Sequence, residues 1–126
     1  MKKRFLILTA FIFSCSHNEL SFDYKSVEID EIMESMDQPS WLLNRMVKSK
    51  HYTKSDWKEQ LEIIQRESHV LVKLNHPDEL FQKLAIQSSF ELDQFIINLS
   101  KMDMNEQEKS WIAIKNSCQK CHEVYD

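Results

Sequence analysis

Apolar residues recur every three or four positions in four blocks of the chain, which is the period of an amphipathic helix. The first block contains Ile29, Ile32, Met33, Met36, Leu43 and Val47. The second contains Trp57, Leu61, Ile64, Ser68 and Leu71, and the third contains Leu80, Phe81, Leu84, Ser88, Leu92, Phe95 and Leu99. The fourth contains Trp111, Ile114, Cys118, Cys121, His122 and Tyr125. The pattern therefore predicts four helices, each with one buried face.

Capping residues indicate where the last three helices begin. Thr53 is expected to cap the second helix, with Asp56 three residues further on. Pro77 is expected in the first turn of the third helix, where its missing N–H costs nothing. Asn105 is expected to cap the fourth helix while Glu108 reaches back to it.

The first block is interrupted by Pro39, but Leu43 returns in phase with it. A kinked or broken helix over residues 27–48 is therefore predicted, and a looser three-helix packing is the alternative if Pro39 ends this helix early. The chain has no glycine and only two prolines, so it lacks the residues that tight hairpin turns need. We predict an all-α fold, an antiparallel up-down four-helix bundle.

The first fourteen residues have the composition of a cleaved export signal. Three basic residues at positions 2–4 precede an apolar run at 5–13 that is too short to span a bilayer. The sequence Ile-Phe-Ser-Cys at 12–15 resembles the end of a bacterial lipoprotein signal, which implies that residues 1–14 are removed and that Cys15 carries a lipid. An ordinary secretory signal is the alternative. Either signal places the mature chain outside the cytoplasm.

The mature chain is predicted to have two parts. Residues 15–26 are expected to form the lipid anchor and a polar tether, and residues 27–126 a single helical domain in the periplasm or on the cell surface. Without residues 1–14 the chain has thirteen basic and twenty acidic residues, a net charge of −7. Because no basic patch or stripe appears, nucleic acid is not expected as a partner.

The fourth block ends in the motif Cys118-Gln119-Lys120-Cys121-His122. On a helix, positions three and four apart lie on one face, so the two thiols and the imidazole are expected to project together within one turn. Cys-x-x-Cys-His is the sequence sign of c-type haem attachment. We therefore predict haem c, with Cys118 and Cys121 as thioethers to its vinyl groups and His122 as the proximal ligand of its iron.

Other uses of this motif are less consistent with the chain. A structural zinc site would need a second pair of Cys or His ligands at metal-binding spacing, and the sequence has none. A thioredoxin-type dithiol normally opens a helix in an α/β domain. A bare disulfide is awkward across three residues of regular helix. A haem-free site for copper or another soft metal, built from Cys118, Cys121 and His122, stays as an alternative.

With this motif near the end of the last helix and an aromatic residue, Tyr125, three positions after His122, the chain resembles the cytochrome c′ family and its lipoprotein-borne relatives. The resemblance covers residues 27–126 and departs at Asp126, where the family usually has a basic residue. It implies a four-helix bundle in which the distal residue comes from the first helix. By spacing this position falls at Met33, with Met36 as the second choice.

The distal position decides the function that the resemblance implies. A Met33 thioether on the iron would suit electron transfer with a redox partner protein, because this ligand raises the reduction potential. If Met33 only fills core space, as methionine commonly does, the iron would be five-coordinate and would bind a small gas such as NO or CO. The chain shows no general base or carboxylate pair that points to a substrate, so an enzyme is not expected.

Two further sets of residues have simpler interpretations. His51, His69 and His76 are expected to be solvated rather than to ligate iron. Ile86, Phe90 and Ile97 form a second stripe on the far side of the third helix, which predicts either a homodimer face or a surface that faces lipid.

Overall fold

A computed structural model describes residues 24–125 of the chain. The export signal, Cys15 and Asp126 lie outside these residues. The described chain contains four helices and no β-strand: α1 (Tyr24–Ser49), α2 (Lys54–Lys73), α3 (Glu79–Asn98), a short 3-10 segment (Leu99–Lys101) and α4 (Met104–Tyr125). Each helix packs on the next one along the chain, which confirms the predicted all-α four-helix bundle.

The first helix is continuous through Pro39, so of the kinked or broken helix that was predicted the broken form is wrong, and so is the three-helix alternative. Pro39 cannot donate a hydrogen bond to the carbonyl one turn earlier, which costs about 3 kcal/mol in a helix interior. Leu43, one turn later, is completely buried in the core with Trp57 and Leu61. Burial of a leucine side chain contributes about 1.5–3 kcal/mol, so packing offsets most of the cost of the proline.

Side-chain caps mark the starts of α2, α3 and α4, and of these only the cap of α2 was predicted correctly. Thr53 and Asp56 form a reciprocal capping box: the Thr53 hydroxyl accepts from the Asp56 N–H at 3.1 Å, and the Thr53 N–H donates to the Asp56 carboxylate at 2.9 Å. Helix α1 begins at Tyr24, inside the stretch predicted as a tether. The helical part of the chain is therefore longer than the hydrophobic pattern indicated.

The predicted starts of α3 and α4 are each wrong by one or two residues. Asp78 caps α3 by accepting from Leu80 N–H at 2.9 Å, so Pro77 lies before the helix rather than in its first turn. At α4, the Asp103 carboxylate accepts from Glu106 N–H at 2.8 Å, and the Glu106 carboxylate accepts from Asp103 N–H at 2.9 Å. The capping box is thus shifted two residues ahead of the predicted one.

The core face of α3 is rotated relative to the prediction. Ala85 and Ser89 are buried, whereas the predicted Leu84 and Ser88 are only half-buried and Leu80 is 48% exposed. Leu84 and Ser88 are not fully buried because they line a cavity between the helices. The five predicted core residues of α2 are all buried.

Two apolar clusters divide the core along the length of the bundle. The larger cluster contains both fully packed indoles, Trp57 and Trp111, and Trp111 Nε1 donates to Asn44 Oδ1 at 3.1 Å. The smaller cluster lies at the other end and is formed by Ile32, Leu71, Phe81, Ala85 and Cys121. The last turns of α4 therefore end in a separate and smaller part of the core.

Glu108 is buried near the start of α4, at 7% exposure, and does not cap the helix as predicted. Its carboxylate forms an ion pair with Lys50 and accepts a hydrogen bond from the Tyr52 hydroxyl at 2.6 Å. Burial alone would raise the pKa of Glu108, but these two contacts outweigh it and the pKa is lowered. For Tyr52, burial and the same carboxylate raise the pKa. The contacts join the link between α1 and α2 to α4.

The contribution of Glu108 to the stability of the fold can be tested by substitution. We expect Glu108→Gln to lower the free energy of unfolding by about 1–3 kcal/mol, because Lys50 loses its charged partner and a buried polar group is left poorly satisfied. Denaturant titration measures the effect. Glu59→Gln, at an exposed position of α2, is the matched control and should change stability by less than about 0.5 kcal/mol. Equal effects of the two substitutions would contradict the assigned role.

The same carboxylate should contribute to the pH dependence of folding. Because the pKa of Glu108 in the folded chain lies below its ordinary value of 4.5, its contribution is complete above pH 4.5 and is lost as the pH falls through the lower folded value. We expect the stability difference between wild type and Glu108→Gln to shrink with acidification below pH 4.5. Denaturant titrations at several acidic pH values measure it, and a constant difference would contradict the prediction.

Candidate functional site

Helix α4 brings the three predicted site residues together at the smaller end of the core. Cys121 is buried at 8% exposure, while Cys118 and His122 are half-buried. Cys118 also packs against the larger cluster, so the motif begins where the two clusters meet. All three side chains border one cavity, which confirms that the helical period puts them on a common, inward face.

This cavity has a volume of about 110 Å³ and is bordered by all four helices. Its walls are mainly apolar and include Met33, Met36, Ile64, Leu71, Leu84, Leu92, Trp111 and Ile114. Three serines, Ser40, Ser68 and Ser88, also contribute to it. The site is therefore an apolar space with two thiols and one imidazole on its α4 side.

A second cavity, of about 130 Å³, is also bordered by His122. It is bordered by Ile29, Asp30, Met33, Phe81, Cys121, His122 and Tyr125. Met33 thus borders both cavities together with Cys121 and His122, whereas Met36 borders only the first. Of the two methionines proposed for the distal position, Met33 is therefore the one that shares both cavities with the motif.

The electrostatic environment of Cys118 keeps it protonated. Burial raises the pKa of the Cys118 thiol to about 11, and the charge of Glu91 and the neighbouring Cys121 add to the rise. A hydrogen bond with Ser88 acts in the opposite direction. Because the thiolate is the form that acts as a nucleophile, this environment does not favour a catalytic dithiol in the ligand-free chain.

Tyr125 closes the end of the site against the start of α3. Its ring meets Phe81 edge-on, with the centroids 5.2 Å apart, and its hydroxyl is hydrogen-bonded to the Asp78 carboxylate. Burial and that carboxylate raise the pKa of Tyr125. Tyr125 was predicted as a core residue, but it is 37% exposed and lies at the edge of the bundle.

The other three described histidines border neither of these two cavities. His51 is exposed, and His69 Nε2 lies 2.8 Å from Asp93 Oδ1 on the surface. His76 is half-buried against the ring of Phe81 and accepts from the Asp78 N–H at 3.1 Å, so the prediction that it is simply solvated is wrong.

Three polar residues at the rim of the first cavity were not recognised in the sequence. Asp37, Ser40 and Lys115 all border it. Helical spacing could have found two of them, because Asp37 is four positions after Met33 and Lys115 is three positions before Cys118. Asp37 and Lys115 thus place one negative and one positive charge beside an otherwise mainly apolar cavity.

Within residues 24–125, no group of three or more His, Cys, Asp or Glu side chains is arranged to hold a metal ion. No disulfide joins Cys118 to Cys121 in the structure. Among the same residues, no helix is both long enough and apolar enough to cross a membrane.

The donors suit a haem c, and the space suits it only in part. Two cysteines and a histidine on one helical turn match the attachment motif, and the walls are apolar. However, a cavity of about 110 Å³ is smaller than the roughly 300–1,000 Å³ of most small-molecule sites. Binding of a flat macrocycle would therefore require the helices around this cavity to move apart.

Comparison of the chain with protein-family models, with curated proteins and with solved structures found no match. The interpretation of the site therefore depends on its own residues and geometry.

Proposed function

We propose that this chain is an exported, covalent haem c protein of the bacterial cell envelope that acts in electron transfer, related to the cytochromes c′. One observation carries the proposal: Cys118, Cys121 and His122 border the same apolar space between the helices, with Met33 of α1 bordering it as well. The sequence motif alone permits haem attachment. Its position on the inner face of a bundle adds a buried location for the macrocycle.

The residues of α4 would make the covalent attachment. Cys118 and Cys121 would hold the macrocycle through thioethers, formed by addition of each S–H bond across a vinyl group, which needs no oxidant. His122 would hold the iron through its imidazole. When bound, haem c supplies a one-electron couple between ferric and ferrous iron.

The other residues around the cavity would determine the reduction potential of this couple and whether the iron can bind a gas. If Met33 held the iron through its sulfur, it would raise the reduction potential and would leave no open coordination site for a gas. The apolar side chains of Ile64, Leu71 and Leu92 exclude water from the macrocycle. Exclusion of water disfavours the oxidised, more positively charged state and therefore also raises the potential.

A gas-binding role is the second candidate, and one observation favours it. The cavity is bordered by apolar residues of α2 and α3 as well as by the methionines, so an open coordination site of an iron held there would be shielded from water. In that case Met33 fills space beside the iron, and the protein binds NO or CO at a five-coordinate centre.

The proposed export signal and the lipid on Cys15 place this chemistry outside the cytoplasm. These residues are not among those that the structure describes, and their role is argued from sequence alone. Attachment of haem c also takes place on that side of the bacterial membrane. The proposed export signal and the proposed haem attachment therefore support the same location, with the helical domain in the periplasm or on the cell surface.

Haem attachment can be tested directly. We expect the chain, exported from cells that contain the haem c attachment machinery, to retain haem after denaturation and to show the reduced absorption bands of a c-type cytochrome. The double substitution Cys118→Ala/Cys121→Ala should abolish covalent haem, because both thioether bonds are lost. Ser117→Ala, at a half-buried neighbouring position, is the control and should retain it. Absence of covalent haem in the wild-type chain would contradict the proposal.

The distal ligand is tested by substitution of single methionines. We expect the wild-type reduced spectrum to be low-spin and unchanged by CO, because Met33 occupies the sixth position. Met33→Ala should give a high-spin spectrum that shifts with CO, and its reduction potential should fall. Met36→Ala and Met46→Ala are matched controls on the same helix and should leave the spectrum low-spin. A wild-type spectrum that responds to CO would instead support the gas-binding candidate.

A further inference from the structure

The outward side of α3 has an apolar stripe formed by Ile86, Phe90 and Ile97. These side chains are 50%, 62% and 66% exposed, respectively. They lie on one side of the helix because they are four and seven positions apart. The proposed haem site does not use them, since the residues of α3 that border the cavity lie on the opposite side of the helix. An exposed apolar patch of this kind marks a surface that contacts another protein or a membrane.

The exposed charges on this side of α3 are mainly basic. Lys83 in α3 and Lys101 just after it fall in line with the stripe, one near each end, and both are exposed. Glu79, at the start of the helix, is the one exposed acid of α3 within the described residues. Because the mature chain has thirteen basic and twenty acidic residues, a surface with two lysines and one acid is not typical of it.

We infer that this stripe rests on the anionic surface of the bilayer that holds the proposed lipid of Cys15, so that α3 lies along the membrane. The inference rests on the lipid anchor of the proposed function. A helix at a bilayer surface buries its apolar side chains among the lipid headgroups and is attracted to anionic lipids through its basic residues. Lys83 and Lys101 fit such a surface, because their methylene groups can lie on the apolar region while the ammonium groups stay at the phosphates.

The length of chain between the proposed lipid and the bundle permits this orientation. Tyr24, where α1 begins, is nine positions after Cys15, and nine fully extended residues span at most about 30 Å. Because successive helices of the bundle run in opposite directions, α1 and α3 begin at the same end. Packed helix axes lie about 8–10 Å apart, so the start of α1 is roughly 20 Å from a bilayer under α3. The lipid and the stripe can therefore reach the same bilayer.

The most acidic surface of the bundle lies away from a bilayer under α3. In the first half of α1, five exposed positions are acidic: Glu28, Asp30, Glu31, Glu34 and Asp37. Since α1 packs on α2 and α2 packs on α3, these carboxylates are across the bundle from the stripe. A separation of roughly 20 Å exceeds the screening length of about 8 Å at physiological ionic strength. Anionic headgroups therefore repel the chain weakly in this orientation and strongly if α1 faces them.

Flotation with lipid vesicles tests the inference. The chain from residue 16 onward contains all four helices, and export behind an ordinary secretory signal leaves it without a lipid that would hold it to the membrane by itself. We expect it to bind vesicles of phosphatidylglycerol and phosphatidylethanolamine. Ile97→Gln should weaken this binding at least about fivefold, because an apolar side chain that enters the bilayer is lost. Ile112→Gln is the matched control on α4, since Ile112 is also exposed, at 43%, and should change binding less than about twofold. Circular dichroism checks that each variant is folded.

The charge of the lipid tests the role of the two lysines. Lys83→Gln and Lys101→Gln should each weaken binding about two- to fivefold when the vesicles contain phosphatidylglycerol, and neither should do so when they contain only phosphatidylcholine. Lys54→Gln, at an exposed position of α2, is the control and should leave both kinds of binding unchanged.

Three results would overturn the inference. The first is a chain that binds neither kind of vesicle, and the second is equal weakening by Ile97→Gln and Ile112→Gln. The third is a dimer in sedimentation equilibrium that Ile97→Gln dissociates while the vesicles stay unbound, which would assign the stripe to a protein contact. Because the stripe is on the opposite side of α3 from the cavity, vesicle binding by a chain that retains no haem supports this inference and contradicts only the proposed haem function.

Discussion

The helical period of α4 is the constraint on which the candidate site depends. Because positions 118, 121 and 122 fall within one turn, packing of that turn into the bundle commits both thiols and the imidazole to the same apolar space. Antiparallel packing then brings the first half of α1, with Met33, to the same end of the molecule. A different helix phase at the end of α4 would expose the motif and leave nothing opposite it.

The two ends of the core have different packing, and this difference creates the site. At one end Trp57, Trp111 and Leu43 are almost completely buried, and Glu108 joins α4 to the link between α1 and α2. Where this end meets the smaller cluster, small side chains such as Ala85 and Ser68 border a cavity. A tightly packed end holds the helices in register, so the looser end can leave room for a ligand without loss of the fold.

Two buried serine side chains, one on α2 and one on α3, meet in the core. Ser68 and Ser89 are buried with their hydroxyl oxygens 3.3 Å apart, and the Ser68 hydroxyl donates to the carbonyl of Gln65 at 2.8 Å. Small hydroxyl side chains that are satisfied within their own helix can border an apolar space at little cost. For Cys118, by contrast, burial and the charge of Glu91 raise the pKa of the thiol. In the ligand-free chain its sulfur is therefore a neutral thiol rather than a charged thiolate.

The sequence by itself determined the number of helices, the core face of α2, the Thr53 cap and the shared face of Cys118, Cys121 and His122, because these depend on local spacing. Only the tertiary structure decided that α1 continues through Pro39, that α3 is rotated towards Ala85 and Ser89, and that Glu108 is buried against Lys50. Periodicity states which residues share a face. Which neighbours that face meets, and how tightly, depends on contacts between residues far apart in the chain.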